Sequence, residues 1–436
     1  MAAAIAADPR TFHSLPGYHG GYVALWCTLP ALLLLGLWQL FEPMWLRSHV
    51  LGSLPEALRL LPDDQLGLIY NDIRNLVEGN VVSSEPGTDM LAAAERYSAL
   101  RDLSRNLASA AVLVLGIAAL GWAFNRVRAD FRARNRVEHA IEYLLVAASS
   151  VAILTTIGIF LSVLFEALRF FQQVSPLDFL FGLSWSPQTA IRPDQVGSSG
   201  AFGAVPLFAG TLLISGLAML VAVPVGLMSA IYLSEYASRR FRAYAKPLLE
   251  ILAGIPTVVY GYFAALTVGP ILRAFGETVG LDVASESALG AGLVMGIMII
   301  PFVSSLSDDV ITAVPQALRD GSYGLGATRS ETIRHVVLPA ALPGIVGAVL
   351  LAVSRAIGET MIVVMAAGLS ANLTANPFAA VTTVTVQVVT LLIGDQEFDS
   401  PKTLAAFALG LVLFLVTLAL NVVALRVVRR YREQYE

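Results

Sequence analysis

The sequence predicts an all-α polytopic integral membrane protein, and two observations lead to this fold class. Of the 436 residues, 56% are hydrophobic and only 14% are charged, and the mean hydropathy is +0.71. A soluble domain of ordinary composition carries about 25% charged residues. The apolar residues are also gathered into long runs, and a helix needs about 20 of them in succession to cross a bilayer.

About eight transmembrane helices are predicted from these runs. They lie near residues 21–41, 107–124, 140–165, 206–233, 247–270, 288–306, 338–368 and 403–425. We interpret the first as a retained helix and not as a removed signal peptide, because no small-residue cleavage site follows it before Glu42.

The orientation in the membrane is predicted from the connecting segments. Seventeen of the Lys and Arg residues fall in one set of segments, namely 1–20, 125–139, 234–246, 307–337 and 426–436. The other set carries ten over a greater length, namely 42–106, 166–205, 271–287 and 369–402. Because cytoplasmic loops are enriched in Lys and Arg, we expect both termini to lie in the cytoplasm.

The polar segment 307–337 contains strong signals for turns and helix ends. Pro315 suits the first turn of a short helix, and glycines at 321, 324 and 326 permit a sharp turn. Thr328 and Glu331 form a capping-box pattern for a second helix, Arg329–Val337. The pattern predicts two short helices at a sharp angle that project a polar surface into the cytoplasm.

The seventh predicted span contains an arginine and a glutamate at membrane depth. Arg355 and Glu359 are four residues apart, so on a continuous helix they would share one face and could pair. Each charge costs about 2.5–3.5 kcal/mol at the bilayer centre on insertion scales, so such residues face a protein or water-lined interior.

Two interpretations of this pair are open. In the first, the guanidinium of Arg355 meets an oxyanion in a translocation path, to which fork geometry is well suited. Glu359 would then hold Arg355 when the path is empty, and Thr360 would lie beside them. In the second, the two charges form a structural ion pair that locks helices together.

At this point the sequence resembles a known pattern, the signature of ABC importer permeases. Asp320–Gly321–Ser322 is followed at the signature's spacing by Gly326 and then by Val336 and Leu338–Pro339. The glycine, leucine and proline match, while the leading Glu-Ala-Ala of the signature is replaced by Asp-Gly-Ser. In that family the element is a coupling helix seated in a groove of the ATPase, which implies ATPase-coupling roles for Asp320, Gly321, Ser322, Gly326, Leu338 and Pro339.

Further runs resemble the PstC-type permease of phosphate-specific ABC importers. These include Val223–Gly226, Leu248–Gly261 and the run from Arg355 to Met361. The resemblance implies a type I permease core of six helices that transports inorganic phosphate. It also implies three partners: a homologous second permease, a cytoplasmic ATP-binding subunit dimer and an extracytoplasmic phosphate-binding protein. A permease for molybdate or sulfate stays open, because tetrahedral anions share charge and shape.

The orientation and the resemblance together predict a multi-pass protein of the inner membrane, in contact with lipid, with six parts. The parts are a cytoplasmic N-terminus and first span (1–41), an extracytoplasmic helical segment (42–106), two spans joined by a basic cytoplasmic loop (107–165), an extracytoplasmic loop (166–205), the permease core (206–425) with its coupling segment (307–339), and a basic cytoplasmic tail (426–436). We interpret 42–106 as a helical hairpin that tethers two spans and not as a separate binding domain.

Other functions find less support in the sequence. The chain has no Gly-x-x-x-x-Gly-Lys-Ser/Thr phosphate loop, so we expect no enzyme activity and assign ATP hydrolysis to a partner. Cys27 is the only cysteine and the five histidines lie outside the apolar runs, which predicts no metal and no cofactor. The spans offer no histidine beside Glu359, which argues against an intramembrane hydrolase. The net charge of −4 suggests no nucleic-acid partner. A signalling role that reports phosphate supply to a sensor kinase is compatible with transport.

Overall fold

The computed structural model describes residues 13–82, 87–128, 131–187, 200–393 and 400–432. The first helices are α1 (Pro16–Leu51), α2 (Glu56–Arg59), α3 (Asp63–Glu78), α4 (Thr88–Arg126), α5 (Ala133–Gln173) and α6 (Pro176–Phe181). A two-stranded antiparallel ribbon follows, formed by β1 (Trp185–Ser186) and β2 (Ala201–Phe202).

The remaining helices carry or flank the residues predicted for the site. They are α7 (Val205–Ile231), α8 (Arg239–Ala253), α9 (Thr257–Phe263), α10 (Gly269–Val279), α11 (Ala288–Ala313), α12 (Gln316–Gly324), α13 (Arg329–Thr332), α14 (Leu338–Ile357), α15 (Met361–Ala366), α16 (Val384–Leu392) and α17 (Pro401–Arg432). Three π-helical turns extend or join them, at Tyr232–Tyr236, Ala264–Val268 and Ile333–Val337.

The prediction of about eight spans is confirmed. Within the described ranges, eight helical runs are long and apolar enough to cross a membrane: Pro16–Leu51, Thr88–Arg126, Ala133–Gln173, Val205–Tyr236, Thr257–Val279, Ala288–Ala313, Arg329–Ile357 and Pro401–Arg426. Only five of them lie within the predicted core 206–425 or at its edges. A core of six spanning helices would need one more, and α5 is the spanning helix that precedes this range in the chain.

The fifth span begins about ten residues later than the predicted 247–270. The first part of that run belongs to α8, which ends at Ala253 and is capped by Gly254, and a new helix starts after Pro256. A residue that precedes proline is pushed away from the helical conformation, so the apolar run is cut at this point. Helix α8 is amphipathic and none of its residues is buried within the chain.

The chain divides into two compact units, Met1–Thr155 and Thr156–Glu436. In the first unit, α1 and α4 pack along each other, and the ends of these helices enclose a small apolar core with α3. Its buried members include Val50, Leu54, Ile73 and Tyr97. Helices α2 and α3 lie between the two spans, so the segment 42–106 is largely helical.

In the second unit, α11 is the most deeply buried spanning helix, and Met295, Ile299 and Val303 on it are almost completely covered. It packs against α7 through Ala218 and Ala222, which belong to the same apolar cluster. Small residues at such a contact let two helices approach closely in a membrane. This packing fixes α11, whose C-terminal residues contact the segment 307–339 described below.

Candidate translocation path and coupling surface

The seventh spanning helix ends before Glu359, which was predicted to lie on it. Helix α14 stops at Ile357, Gly358 caps it, and α15 starts at Met361. Glu359 lies in the break with only 9% of its surface exposed. Its carboxylate accepts the backbone N–H groups of Met361 (3.2 Å) and Ile362 (3.4 Å). These are donors that the start of a helix leaves without intrahelical partners, and a negative charge there is favourable.

The predicted pairing of Arg355 with Glu359 is therefore wrong. Among the residues that the structure describes, no ion pair joins them, because the shared helix face is lost once the helix ends at Ile357. Arg355 is exposed in the isolated chain, and its guanidinium carbon lies 6.0 Å from the centre of the Phe302 ring. The N–H groups of Arg355 therefore face the surroundings of the chain. Inside a membrane, a charged side chain must be met there by protein, water or an anion.

Polar side chains from distant parts of the sequence hold the break in place. Thr385 on α16 donates its hydroxyl to the backbone carbonyl of Glu359 at 2.9 Å. Two residues further along α16, the Gln387 side chain accepts from the indole of Trp185 (3.0 Å) and donates to the carbonyl of Leu369 (3.0 Å). Sequence reasoning missed these residues, because nothing local signals a contact across 202 positions.

Thr360, the third residue predicted for the path, lies directly at the break. It is half-buried, and its hydroxyl is 3.4 Å from the carbonyl oxygen of Gly358. The structure thus brings Glu359 and Thr360 together in one short non-helical segment, while Arg355 projects from the last turn of the helix before it.

The predicted turn of the coupling segment is present, with two differences. Gly326 has a φ of +86°, a conformation that other residues resist, and the capping box of Thr328 and Glu331 forms as expected. Pro315, however, caps α12 from outside instead of occupying its first turn. The second helix is also not a separate short element, because α13 and the π turn after it run on into α14.

The predicted coupling residues fall into two groups. Asp320, Gly321 and Gly326 are exposed at the turn, and Ser322 is half-buried with its hydroxyl 2.9 Å from that of Thr332. Leu338 and Pro339 instead lie half-buried at the start of α14, where Leu338 packs on an apolar cluster. Sequence reasoning missed three exposed apolar side chains on the turn: Leu318, Tyr323 and Leu325, the last 92% exposed.

A buried ion pair anchors α12 to the rest of the unit. The Arg319 guanidinium donates to the Glu235 carboxylate at 2.9 Å and to the carbonyl of Ile311 at 2.9 Å, and it also donates to the carbonyl of Val314. Both charged side chains are nearly inaccessible. Since Glu235 precedes Arg319 by 84 positions, no sequence pattern predicts the pair.

A second ionic cluster joins α8 to the end of α11. Asp308 is only 1% exposed and accepts from Arg242 (2.9 Å) and Lys246 (3.0 Å), while Lys246 also donates to Asp309 at 2.8 Å. Hydrogen bonds to Asp309 and then to Asp308 raise the pKa of Lys246. The ammonium therefore stays charged at neutral pH, and its contribution to stability is lost only as the pH rises through that raised value.

These features define a class, a multi-pass permease subunit with a broken spanning helix and an exposed turn between two of its spans. Two family models match the chain, one described as a phosphate ATP-binding cassette transporter over residues 2–155 and one as a binding-protein-dependent transport system inner membrane component over 222–433. The first match coincides closely with the first compact unit.

Individual relatives show to which family of permeases the chain is similar. A probable ABC transporter permease protein, YqgH of Bacillus subtilis, is 33% identical over 276 residues, which are 63% of this chain and 83% of that protein. The phosphate transport system permease protein PstC of Mesorhizobium japonicum is 31% identical over 56% of this chain and 76% of its own length. PstC 1 of Mycobacterium tuberculosis is 33% identical over 59% of this chain and 83% of its own length. The chain belongs to the PstC-type family of ABC importer permeases, which are transport subunits of the inner membrane.

Proposed function

We propose that this chain, with a second and homologous permease, forms the path by which inorganic phosphate crosses the inner membrane in an ATP-driven importer. The observation that carries the proposal is the exposed guanidinium of Arg355 in the last turn of a spanning helix. The helix breaks at Gly358, three positions later. The names of the PstC relatives supply the substrate.

The chemistry of Arg355 suits a phosphate oxyanion. A guanidinium stays charged at any physiological pH and presents parallel donors that match two phosphate oxygens. Because the carboxylate of Glu359 is already engaged by backbone N–H groups, it does not neutralise Arg355. We assign Glu359 the role of holding the break in shape, and Thr360 a hydroxyl at the wall of the path.

The turn around α12 is proposed as the contact with a cytoplasmic dimer of ATP-binding subunits. Leu318, Tyr323 and Leu325 expose apolar surface beside the polar residues Asp320 and Ser322, a mixture that suits a protein groove. If this turn is cytoplasmic, both termini also lie in the cytoplasm, because an even number of spans separates each of them from the turn. We further propose that the partner subunits hydrolyse ATP and that a phosphate-binding protein docks on the opposite side of the membrane.

The test is ATP-dependent uptake of phosphate into vesicles that contain this chain with its second permease, ATPase and binding protein. Arg355→Gln is expected to abolish uptake while the complex still assembles. Arg273→Gln is the matched control, since Arg273 is exposed on α10 and paired with Glu277 at 3.2 Å; it should transport normally.

Molybdate and sulfate are assayed in parallel, because Arg355 alone does not distinguish among tetrahedral anions. Uptake of one of these anions in place of phosphate would contradict phosphate as the substrate. The assignment of the chain as an anion permease would be unaffected. Normal phosphate uptake by Arg355→Gln would remove Arg355 from the path.

A further inference from the structure

Described residues at the end of α4, at the start of α5 and between these helices line a basic basin that the transport function does not use. The basin has a volume of about 780 Å³. It is lined by Asn125, Arg126, Arg128, Phe131, Arg132, Asn135, Arg136 and His139. Every ionisable group in this lining is basic, and all of these residues belong to the first compact unit.

Most of the lining arginines have no acidic partner in the described part of the chain. Segment 125–139 also contains Arg134, whose guanidinium is 2.6 Å from Glu138, and neither lines the basin. His139 faces Glu142 at 3.4 Å. Asp130 lies outside the described residues. By contrast Arg128, Arg132 and Arg136 make no ion pair among the described residues, so their donors are available to an anion.

An apolar groove continues from this basin. It has a volume of about 530 Å³ and shares Arg136 and His139 with the basin. Its other lining residues are Tyr22, Leu25, Trp26, Leu29, Pro30, Leu33, Ala140 and Tyr143, from spanning helices α1 and α5. A cationic pocket thus leads directly into a hydrocarbon-like groove along two membrane helices.

Aromatic rings mark the level at which the two parts meet. The ring centres of Trp26 and Trp122 are 4.8 Å apart, and the guanidinium carbon of Arg126 lies 4.6 Å from the centre of the Trp122 ring. The ring centres of Tyr22 and Phe131 are also 4.8 Å apart. Tyrosine and tryptophan gather where hydrocarbon gives way to headgroups. The basin therefore lies at headgroup level and the groove beside acyl chains.

We propose that this basin and groove bind one anionic phospholipid, with its phosphate among Arg128, Arg132 and Arg136 and an acyl chain along Leu29 and Leu33. A free anion would need only the basin, and a neutral lipid only the groove. The continuity of the two favours a ligand that is anionic at one end and apolar at the other. Basic pockets between spanning helices are suited to such headgroups.

The experiment titrates the purified full-length chain with phosphatidylglycerol, followed by native mass spectrometry. Phosphatidylcholine with the same acyl chains tests for charge, and inorganic phosphate and glycerol phosphate test whether the headgroup alone suffices. The variants are Arg132→Gln with Arg136→Gln, which removes charge, and Leu29→Trp, which fills the groove. Arg134→Gln is the matched control, because that arginine is already paired with Glu138 and lies outside the lining.

Phosphatidylglycerol is expected to bind at least about tenfold more tightly than phosphatidylcholine, and the double variant should lose that preference. Leu29→Trp should weaken binding of phosphatidylglycerol although all arginines remain. Equal binding of the two lipids would overturn the proposal. So would glycerol phosphate binding as tightly as the lipid, or an equal loss of affinity in Arg134→Gln.

Discussion

At the scale of single residues, Gly210 on α7 shows how closely the second unit is packed. A Cβ atom built on it would lie 2.1 Å from the carbonyl oxygen of Thr382. The next residue, Thr211, accepts the backbone N–H of Val384 through its hydroxyl at 3.1 Å. The helix and the segment before α16 therefore touch backbone to backbone, and that segment leads to the residues that hold the break at Glu359.

We predict that Gly210→Ala lowers the free energy of unfolding by about 1–3 kcal/mol, the range for overpacking a well-filled core. The backbone of Thr382 must move to admit the methyl group. The measurement is the thermal denaturation midpoint of the detergent-purified chain. Gly216→Ala on the same helix is the control, since a Cβ there meets nothing within 4 Å. Equal midpoints for the two variants would show that the contact is loose.

Gly326 is constrained in another way. A Cβ at this position meets nothing within 4 Å, so its φ of +86° is the only obstacle to substitution. Forcing a branched residue into that conformation costs about 1–2 kcal/mol. The cost can be avoided only by reshaping the turn between α12 and α13.

We therefore predict that Gly326→Val reduces recovery of the ATPase when the chain is affinity-purified from a complex, because the turn no longer presents the same surface. The control is Gly324→Ala, a helical position without a positive φ and with free space around it. Undiminished recovery of the ATPase with Gly326→Val would count against a coupling role for this turn.

At the scale of elements, the sequence predicts the spanning helices well and the polar contacts poorly. Hydropathy detects a run such as 288–306 because every position in it contributes to the signal. It overlooks the breaks at Gly254–Pro256 and Gly358–Thr360, because the mean hydropathy of a window stays high when only one or two of its residues interrupt the helix. The coupling turn was predictable because capping boxes are local in sequence.

The ionic contacts that anchor α12 and α8 were not predictable. Arg319 and Glu235 are 84 positions apart, and Arg242 and Asp308 are 66 apart. Nothing in either neighbourhood distinguishes these residues from solvent-exposed charges. The two charges meet only because the fold brings the Arg319 side chain to the π turn at Tyr232–Tyr236, where it donates to Glu235.

Removing one side of the buried pair should be costly. We predict that Arg319→Gln destabilises the packing of α12 by about 3–5 kcal/mol, because Glu235 is left buried without a counter-charge. Limited proteolysis should then cut the chain within 316–327 much faster. Arg240→Gln is the control, since Arg240 is exposed on α8. Unchanged protection in Arg319→Gln would mean that the pair contributes no rigidity.

At the scale of the whole molecule, the chain combines two compact units with different matches among known proteins. The relative from Bacillus subtilis aligns with 276 residues, which make up 83% of its length but only 63% of this chain. Arg355, the helix break and the coupling turn all belong to the second unit. The first unit carries the proposed lipid site and the small helical core around Ile73.

This division predicts that the helices between the first two spans are dispensable for transport. Replacing residues 52–87 by a short Gly/Ser linker leaves α1 and α4 intact and removes α2 and α3. The variant should melt at a lower temperature, since Val50 and Tyr97 lose the cover that Ile73 and its neighbours provide. Its ATP-dependent phosphate uptake should nevertheless persist.

Deleting 316–327 in a parallel variant should abolish uptake. If the linker variant assembled fully but transported nothing, these helices would have to take part in the transport cycle itself.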